Sequence, residues 1–483
     1  MGQATAISLF SGLGGIDIGL HRAGVETLVC IEKDPDAAET LRRNSAAHPD
    51  ATPPIGGDPS RYPWRVLEED VHDLSADEIL AAADAELGEV DLVVGGPPCQ
   101  TFSRSNEGSR QGTNADRGML FEQFARVLKG VQPKAFLFEN VRGLASTNEQ
   151  EDLDIIKDEL RAAGYTVNEE VMNAADFGVP QTRSRLFILA LRDEKPYFPE
   201  PTHVDAANTL TGKPCWVSAG DALANFDIDA QFEDSGYMNA VGGQYGYLLT
   251  DIPPGGNYQH FSERKYIPEQ REYVARDEDE LDEKVFDWRS RHWNYLLKQD
   301  PERPTWTLQA SPGTYVGPFH WRSRRYSFIE EMQLMDLPRT YYIAGGPREI
   351  QRQIGNAVPP GLAEALISAL LGQAGIVAGV EPTVEDFAAR PDGGESSAIE
   401  HQSELEVDAS RSPWEYAAAV KTSLSDGEVT IYGEGKRIAQ MLDVLQILRH
   451  QTAEEIDPTF SEAVVDSSNS KNEKRSQLIA TIG

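Results

Sequence analysis

Cys99 is the residue with the clearest potential for covalent chemistry, because it follows two prolines and precedes a long polar segment. The apolar residues 90–94 in front of it predict a buried parallel strand. Structural cysteines usually lie inside a core, whereas ligands bind at the carboxyl ends of strands in open α/β sheets. The position therefore predicts a nucleophile, with a buried thiol beside a turn as the alternative.

Acidic residues end two other predicted strands. Glu32 follows the strand at 26–31, and Glu139 follows the strand at 135–138. An acid at the end of the second strand of a nucleotide-binding sheet accepts hydrogen bonds from ribose hydroxyls, whereas an isolated glutamate there would simply be solvated. The pattern favours Glu32 as a ribose acceptor.

A glycine-rich turn connects the first predicted strand, residues 6–10, to a helical segment at 16–23. The turn reads Ser11-Gly12-Leu13-Gly14-Gly15. Strand, glycine turn and helix together are typical of a nucleotide site, because small residues let the backbone approach a ligand. The spacing differs from the dinucleotide fingerprint, so a plain tight turn is the alternative.

Three basic features stand out. Arg183 and Arg185 alternate before the strand at 186–191, so we expect both side chains on one face, in a site or on an exposed edge strand. Residues 103–118 are polar and contain three arginines, which predicts a mobile lid rather than a disordered surface loop.

A concentration of basic residues later in the chain predicts a phosphate-binding surface, with charge balancing as the alternative. It comprises Arg289, Arg291, His292, Lys298, Arg303, Arg322, Arg324 and Arg325.

The length of 483 residues predicts two or three domains. The chain carries 78 acidic against 44 basic residues, a net charge of −34. Such an excess normally argues against binding nucleic acid, but it also suits a protein that stays soluble in concentrated salt. Because the acidic residues are spread along the chain, we favour salt adaptation of the kind found in halophiles.

Three cysteines, Cys30, Cys99 and Cys215, give neither a disulfide framework nor the spacing of a metal site. The N-terminus lacks a basic region followed by an apolar core, so no signal peptide is expected. The apolar stretch at 366–380 is too short and too interrupted to span a bilayer. We therefore expect a cytoplasmic protein with no metal and no membrane partner.

In their order along the chain, these motifs resemble those of the DNA cytosine-5 methyltransferase family over roughly residues 1–370. The resemblance rests on the turn at 10–15, Glu32-Lys33-Asp34-Pro35, Asp70-Val71, Gly96-Pro97-Pro98-Cys99-Gln100, Arg117-Gly118, Glu139-Asn140-Val141, Gln181-Thr182-Arg183-Ser184-Arg185 and Gln353-Ile354-Gly355-Asn356-Ala357-Val358-Pro359.

One motif departs from the family pattern, which usually reads Arg-x-Leu-Thr-x-Arg-Glu near residues 324–338. Ser327 stands in place of threonine and Ile329 in place of arginine, whereas Glu330 and Pro338 are kept. The change concerns local packing near the target domain more than the chemistry.

The resemblance implies an α/β fold class: a doubly wound, Rossmann-like domain that binds S-adenosyl-L-methionine, with a smaller target-recognition domain and a C-terminal α+β domain. The resemblance implies that Phe10 stacks near the adenine, that the glycines admit the methionine part, and that Asn356 and Val358 close the cofactor site. Asp70 would meet the adenine edge. The full predicted cofactor set is Phe10, Ser11, Gly12, Gly14, Gly15, Glu32, Asp70, Pro97, Asn356 and Val358.

The resemblance also implies a catalytic set of Cys99, Glu139, Arg183 and Arg185. A thiolate that adds to carbon 6 of cytosine makes carbon 5 nucleophilic toward the methyl donor. Glu139, protonated or sharing a proton, would stabilise the ring at nitrogen 3, and the arginines would hold the base and its phosphate neighbourhood. The cytosine must be flipped out of a duplex, and the 103–118 lid would close over it.

Residues 404–483 resemble an Alba-type nucleic-acid-binding domain but lack its basic richness, so an acidic accessory or dimerisation domain is the alternative. The resemblance rests on Pro413-Trp414-Glu415-Tyr416, Glu428-Val429-Thr430-Ile431, Gly433-Glu434-Gly435-Lys436-Arg437-Ile438 and Leu442-Asp443-Val444-Leu445-Gln446-Ile447-Leu448-Arg449.

The predicted domains are a catalytic domain at 1–192 completed by 335–375, a target-recognition domain at 193–334, an acidic linker at 376–406 and the Alba-like domain at 407–483. The expected partner is double-stranded DNA, bound by a monomer, and a cognate restriction endonuclease is a candidate partner.

Two rival functions are a tRNA-directed enzyme of the same family and a catalytically inactive DNA-binding regulator. Gln100-Thr101 and the long 193–302 segment argue against the first. The intact catalytic set argues against the second.

Overall fold

The computed structural model describes residues 3–45, 62–98, 120–146, 150–205, 212–224 and 241–376, except 268, 271, 278–283, 290–291 and 340, together with parts of 404–482. Cys99 and the predicted lid at 103–118 lie outside the described residues. Most of the predicted linker at 376–406 lies outside them as well.

Seven strands form the central sheet in the order β3-β2-β1-β4-β5-β8-β6. All neighbours are parallel except that β8 runs antiparallel to β5 and to β6. The order reverses between β1 and β4, so the carboxyl ends of these strands form a switch point where ligands bind in such sheets. The strands are β1 Ala4–Leu9, β2 Val25–Ile31, β3 Val66–Leu67, β4 Leu92–Gly95, β5 Ala135–Val141, β6 Thr166–Asn173 and β8 Ser184–Leu191, with a short β7 Gln181–Thr182 outside the sheet.

Helices cover both faces of this sheet. Buried side chains of α3, α4 and α5 pack on one face, and those of α1 and α9 pack on the other. The described helices are α1 Gly15–Arg22, α2 Pro35–Arg43, α3 Ala76–Ala82, α4 Leu120–Val131, α5 Gln150–Ala162, α6 Ala219–Leu223, α7 Phe328–Leu334, α8 Pro347–Asn356 and α9 Pro360–Gln373. The arrangement is a mostly parallel α/β sheet covered on both sides.

Local sequence explains where the helices begin. Asp34 caps α2 by accepting the N–H of Ala37 at 3.0 Å, and Pro35 follows at the first helical position. Ser75 and Glu78 form a reciprocal capping box at α3. These two caps fix the residues at which α2 and α3 begin.

The last helix of the region, α9, packs on the first. A Cβ at Gly19 of α1 would lie 2.5 Å from the Cβ of Ala363, so the two helices approach closely. Leu362, Leu366 and Leu370 of α9 are fully buried, which contributes about 1.5–3 kcal/mol each. The stretch Pro347–Gln373 has the length and composition of a membrane span, but 61% of its apolar window is buried and it consists of two helices. It is therefore core structure here.

Residues 241–319 include a second, smaller core of mainly aromatic and aliphatic side chains. An antiparallel hairpin, β9 Arg264–Ile267 and β10 Glu272–Ala275, belongs to this region. Within the same range, β11 Thr305–Trp306 lies outside this core and pairs in parallel with β7. Helix α6, within the predicted target domain, packs instead in the core that contains α7.

Four strands near the end of the chain form a separate sheet in the order β12-β13-β15-β14. The first pair is parallel and the other two are antiparallel. Residues 416, 417, 419 and 420 are helical and buried, as are 441, 444, 445, 447 and 448. The strands are β12 Glu404–Glu406, β13 Val429–Glu434, β14 Thr459–Asp466 and β15 Lys474–Ile482.

The predicted linker is wrong at its carboxyl end, where β12 begins. Leu405 and Val407 are buried and Glu406 between them is exposed, which is the alternation of a half-buried strand. This short pattern was hidden by the acidic composition around it.

Candidate active site

Glu32 lies at the carboxyl end of β2 and binds two backbone N–H groups. Its Oε2 accepts the N–H of Gly12 at 2.8 Å, and its Oε1 accepts the N–H of Asp34 at 2.8 Å. Burial raises the pKa of Glu32, and the two N–H groups partly oppose this rise. Each carboxylate oxygen keeps a further lone pair, so the side chain can still accept hydrogen bonds from a ligand.

The glycines of the turn differ in what surrounds them. No described atom lies within 4 Å of the position where a side chain at Gly12 would begin. A Cβ at Gly14 would lie 2.8 Å from the Tyr341 hydroxyl, and one at Gly15 would lie 2.2 Å from the carbonyl oxygen of Val358. Packing within the protein therefore explains the absence of side chains at Gly14 and Gly15, and Gly12 borders open space.

Phe10 and Ser11 shape the start of the turn. Phe10 is half-buried and has a φ of 54°, a left-handed conformation that is uncommon for a residue other than glycine. Such strain often accompanies functional sites. The Ser11 N–H donates to the carbonyl of Ile31 at 3.3 Å, and its hydroxyl lies 2.9 Å from that of Ser8. These contacts tie the turn to both β1 and β2.

Asp70 lies close to the same edge, because its Oδ2 accepts a hydrogen bond from Lys33 Nζ at 3.0 Å. Its Oδ1 accepts the N–H of His72 at 3.0 Å. Partial burial works to raise the pKa of Asp70, but the His72 N–H and the Lys33 ammonium outweigh it and the pKa is lowered. Asp70 is thus an ionised acceptor next to the residue that follows Glu32.

Glu139 and Arg185 form an ion pair at the end of β5, with Nε of Arg185 3.2 Å from Oε1 of Glu139. Burial raises the pKa of Glu139, against the opposing charges of Arg185 and then Arg183. A Cβ at Gly96 would lie 2.6 Å from Oε2 of Glu139. The carboxyl group therefore reaches the backbone that leads into Cys99.

Asn140 holds the segment before Cys99 by a second contact. Its Nδ2 donates to the carbonyl of Pro97 at 3.1 Å, and its Oδ1 accepts the N–H of Val141 at 2.8 Å. Both Asn140 and Pro97 are buried. Although Cys99 itself lies outside the described residues, the two residues before it start from a fixed point beside Glu139.

Arg183 differs from the expectation that it faces the base together with Arg185. It is 0% exposed, and its Nη2 and Nη1 donate to the carbonyls of Gly355 at 2.6 Å and Leu308 at 3.2 Å. It lies between β7 and β8 rather than within a strand, so the simple alternation does not hold. The guanidinium serves the protein interior, and its charge still acts on Glu139.

The motif near residue 356 meets this site from the other end of the chain. Asn356 is the last residue of α8 and is exposed, whereas Val358 is buried with its carbonyl against Gly15. The carbonyl of Gly355 binds Arg183. Residues 355–358 therefore touch both the glycine turn and the arginine motif, although they lie far from both in sequence.

Sequence reasoning assigned no role to several residues that support the site. Gln181 is buried, and its Nε2 and Oε1 bind the carbonyl of Leu334 at 3.2 Å and the N–H of Leu308 at 3.2 Å. Tyr341 donates its hydroxyl hydrogen to the carbonyl of Leu13 at 2.5 Å. Gln181 was visible as a motif residue, whereas Tyr341 carries no local signal because its partner is 328 residues away.

The departure from the family pattern near α7 is accommodated locally. Ser327 caps α7, and Ser327 and Glu330 form a reciprocal capping box, a role that threonine fills equally well. Glu330 is buried and receives two hydrogen bonds from Arg324, each at 2.7 Å. Ile329 is fully buried, which suits an aliphatic side chain in place of arginine.

The predicted phosphate-binding surface is wrong for two of its members, Lys298 and Arg324, which are buried. Lys298 is buried and binds the carbonyls of Leu249 and Ile252 at 3.1 and 2.7 Å. Arg324 is buried against Glu330, and Arg303 pairs with Asp205 at 3.1 Å. Arg325 is half-buried, and Arg291 lies outside the described residues. The exposed members are Arg289, His292 and Arg322.

The sequence was compared with those of known proteins and protein families. The family model for the C-5 cytosine-specific DNA methylase matches residues 4–372. The chain is similar to the Type II methyltransferase M.SacI of Streptomyces achromogenes, with 35% identity over 394 residues, 77% of this chain and 94% of that protein. It is also similar to the Type II methyltransferase M1.HphI of Haemophilus parahaemolyticus, with 30% identity over 373 residues, 76% of this chain and 86% of that protein.

A solved structure supports the fold. A prophage-encoded E. coli protein, solved as a DNA modification methyltransferase, has a TM-score of 0.50 with 21% identity, over 77% of this chain and 99% of that chain. Residues 373–483 lie beyond the family match. The match from residue 4 to 372 spans the site from the glycine turn to α9, and the chain therefore belongs to the C-5 cytosine-specific DNA methylase family, as a DNA cytosine-5 methyltransferase.

Proposed function

We propose that this enzyme transfers a methyl group from S-adenosylmethionine to carbon 5 of a cytosine flipped out of a specific duplex DNA sequence, through a covalent adduct with Cys99. The observation that carries the proposal is the position of Glu139. It is a largely buried carboxyl group whose oxygen lies next to Gly96, three residues before the cysteine.

The residues at the switch point fit the proposed cofactor. Gly12 borders open space, and Glu32 at its side keeps lone pairs for ribose hydroxyls. Asp70 is an ionised acceptor suited to an amino group on an adenine edge. S-adenosylmethionine supplies an electrophilic methyl group when bound. Phe10, Ser11, Pro97, Asn356 and Val358 stay proposed members of this site, and Gly14 and Gly15 would act through the shape of the turn.

The proposed chemistry divides among the chain's own residues. The thiolate of Cys99 adds to carbon 6 of the cytosine, which makes carbon 5 nucleophilic. The protonated carboxyl group of Glu139 donates to nitrogen 3, and Arg185 orients Glu139. After methyl transfer, a base removes the proton from carbon 5, the bond between carbon 6 and the Cys99 sulfur breaks to release the thiolate, and nitrogen 3 returns its proton to Glu139. Arg183 holds the motif in place from within the protein.

The relatives named as Type II methyltransferases support a role in restriction and modification, with a cognate endonuclease as a partner in the cell. The base must leave the stack for Cys99 to reach it, because the faces of a paired cytosine are covered by its neighbours. Residues 241–319, which include their own core, would supply the target recognition.

The C-terminal sheet supports the proposal of an Alba-like accessory domain. Its strands alternate with helical residues, and its parallel pair is followed by an antiparallel hairpin. Sedimentation of the whole chain over a concentration series tests the dimerisation alternative. A dimer supports that alternative, and a monomer at every concentration counts against it.

The main proposal is tested in cells and then in vitro. DNA from cells that express the wild type should carry 5-methylcytosine at one short sequence, and DNA from cells that express Cys99→Ser should carry none. A duplex with 5-fluorocytosine at the mapped position should then trap the wild type covalently, because no proton can leave carbon 5. Methylation by the serine variant, or methylation of tRNA alone, would overturn the proposal.

A further inference from the structure

A buried hydrogen bond joins the glycine turn to a segment from the far end of the domain. The hydroxyl of Tyr341 donates to the carbonyl of Leu13 at 2.5 Å. Tyr341 is 1% exposed and Leu13 is 2% exposed, so bulk water does not reach this carbonyl. The contact connects the turn at the switch point to the segment between α7 and α8.

Tyr341 also fills the space beside the turn. A Cβ at Gly14 would lie 2.8 Å from the Tyr341 hydroxyl and 2.8 Å from Cδ2 of Leu41. Gly14 has a φ of 92°, which other residues rarely adopt. The tyrosine hydroxyl therefore packs beside Gly14 and binds the carbonyl of Leu13, the residue before it.

The segment that carries Tyr341 has little freedom to move. Tyr342 and Asn44 exchange two hydrogen bonds, at 2.9 and 2.8 Å. Ala344 donates its N–H to Thr40 Oγ1 at 2.9 Å and accepts from Gln353 Nε2 at 2.8 Å. These buried bonds tie residues 342–344 to α2 and α8, so the backbone beside Tyr341 is fixed.

The aromatic ring is held as well. Tyr62 meets Tyr341 edge-on with ring centroids 6.2 Å apart, and Tyr62 stacks on Trp64 with centroids 4.3 Å apart. Such pairs restrict ring orientation through the quadrupoles of the rings. The hydroxyl of Tyr341 is therefore aimed at Leu13 by contacts that do not involve the turn.

Removing the hydroxyl would leave the carbonyl of Leu13 buried without that donor, which is costly. The smallest change that gives this carbonyl another donor is a rotation of the peptide between Leu13 and Gly14, which moves the turn. The same turn presents the N–H of Gly12 to Glu32 at 2.8 Å. A shift of the turn therefore disturbs the contact between Gly12 and the proposed ribose acceptor.

We propose that Tyr341 is a positioning residue for cofactor binding: its hydroxyl sets the conformation of the glycine turn through Leu13, and so the geometry of Gly12 and Glu32. The inference rests on the proposed function, in which S-adenosylmethionine binds at this turn. Tyr341 acts on binding rather than on the chemical step, because its hydroxyl contacts the glycine turn through the carbonyl of Leu13.

The test compares Tyr341→Phe with Tyr342→Phe in the full-length enzyme. Tyr342 is the adjacent buried tyrosine, and its ring faces Arg43 with 5.6 Å between the guanidinium carbon and the ring centroid. We expect Tyr341→Phe to weaken S-adenosylhomocysteine binding about ten-fold in calorimetry, the loss expected from one buried hydrogen bond. KM for S-adenosylmethionine should rise similarly with kcat nearly unchanged, and duplex affinity should stay constant.

The control variant and the wild type together distinguish failure of the proposed function from failure of the inference about Tyr341. Tyr342→Phe should bind S-adenosylhomocysteine as the wild type does. If the wild type itself does not bind this compound, the proposed function fails and the inference fails with it. If the wild type binds and Tyr341→Phe binds equally well, or if both variants lose the same affinity, only the inference is overturned.

A second variant covers the case in which Tyr341→Phe does not fold. Gly14→Ala disturbs the same contact from the side of the turn, because its Cβ would lie 2.8 Å from that oxygen and from Cδ2 of Leu41, and because alanine rarely adopts a φ of 92°. We expect a folded Gly14→Ala protein, verified by a thermal melt, to show the same rise in KM. An unchanged KM in that protein would contradict the inference.

Discussion

Arg185 lies beside the catalytic candidate Glu139, with 3.2 Å between Nε and Oε1, and both side chains are largely buried. Burial raises the pKa of Glu139, and the charges of Arg185 and Arg183 limit the rise. A carboxyl group with a raised pKa keeps its proton to a higher pH. The acid form that we propose donates to nitrogen 3 is therefore present below the folded-state pKa and lost above it.

We expect Glu139→Gln to lower kcat by about 100-fold or more, the usual contribution of a general acid. In the wild type, kcat should fall on the alkaline side as Glu139 loses its proton, and this limb should be absent in the variant. Single-turnover rates across pH give the measurement. Glu170→Gln, an exposed glutamate on β6, is the matched control and should leave both rate and profile unchanged.

Glu32→Ala should weaken S-adenosylhomocysteine binding by at least ten-fold, because it removes an acceptor for the ligand and the partner of the Gly12 N–H. Affinity for duplex DNA should change little, since Glu32 lies at the turn where we propose that the cofactor binds. Calorimetry with the compound and with duplex separates the two. Glu26→Ala, at the other end of the same strand, is the control. Equal losses in both variants would count against the assignment.

Asp17 predicts a stability change with pH. It is fully buried in α1 beneath the turn, and its Oδ1 accepts from the thiol of Cys30 at 3.4 Å. Burial raises its pKa to about 6 from the usual value of 3.8, with hydrogen bonds from Ser8 and Cys30 opposing the rise. Between these values the folded state binds more protons than the unfolded state, so this group's contribution to stability falls as pH rises.

Asp17→Asn, a neutral side chain of similar shape, should therefore be more stable than the wild type at pH 8 by up to about 3 kcal/mol. Below about pH 4 the advantage should vanish, because the aspartic acid is then protonated in both states. Urea unfolding at several pH values measures it. Asp158→Asn, whose side chain is 75% exposed, should show little pH-dependent difference. A constant difference across pH would show that Asp17 does not titrate.

The acidic composition makes a prediction about salt. Phosphate contacts lose affinity by roughly 10³- to 10⁵-fold between 50 and 200 mM salt when six to ten are made. A net charge of −34 adds self-repulsion, which salt screens over a Debye length of about 3 Å at 1 M. If the charge is a salt adaptation, the gain in fold stability with salt outweighs the loss of phosphate contacts. Recognition then rests on base-edge contacts, which depend less on ions.

We therefore expect methylation to increase with KCl into the molar range, and the fold to be lost in dilute buffer. Thermal melts and methylation assays across KCl concentrations provide the measurement. Full stability together with maximal activity near 100 mM KCl would assign the acidity to another cause.

The sequence alone determined the parts of the site that depend on local pattern. Apolar runs of strand length predicted β1, β2, β4 and β5, and residues directly after them predicted the positions of the turn, Glu32 and Glu139. Because parallel strands end at one edge of a sheet, a residue that ends a strand is placed near the site by its sequence position alone. The ordered motifs then predicted the family.

The tertiary structure decided which polar groups face the site and which face the interior. The positive charge of Arg183, Lys298 and Arg324 is typical of ligand-binding residues. Each of them nevertheless binds buried carbonyl or carboxylate groups of its own protein. Their acceptors include residues far away in sequence, so neither periodicity nor charge reveals them.

The glycines of the turn show the same limit. Gly12, Gly14 and Gly15 are equivalent in a sequence, but Tyr341 and Val358 occupy the space at the last two. Residues 341 and 358 reach the turn because α9 packs on α1 and segment 342–344 binds α2. Close packing between distant segments, rather than local conformational preference, therefore decides what each glycine does.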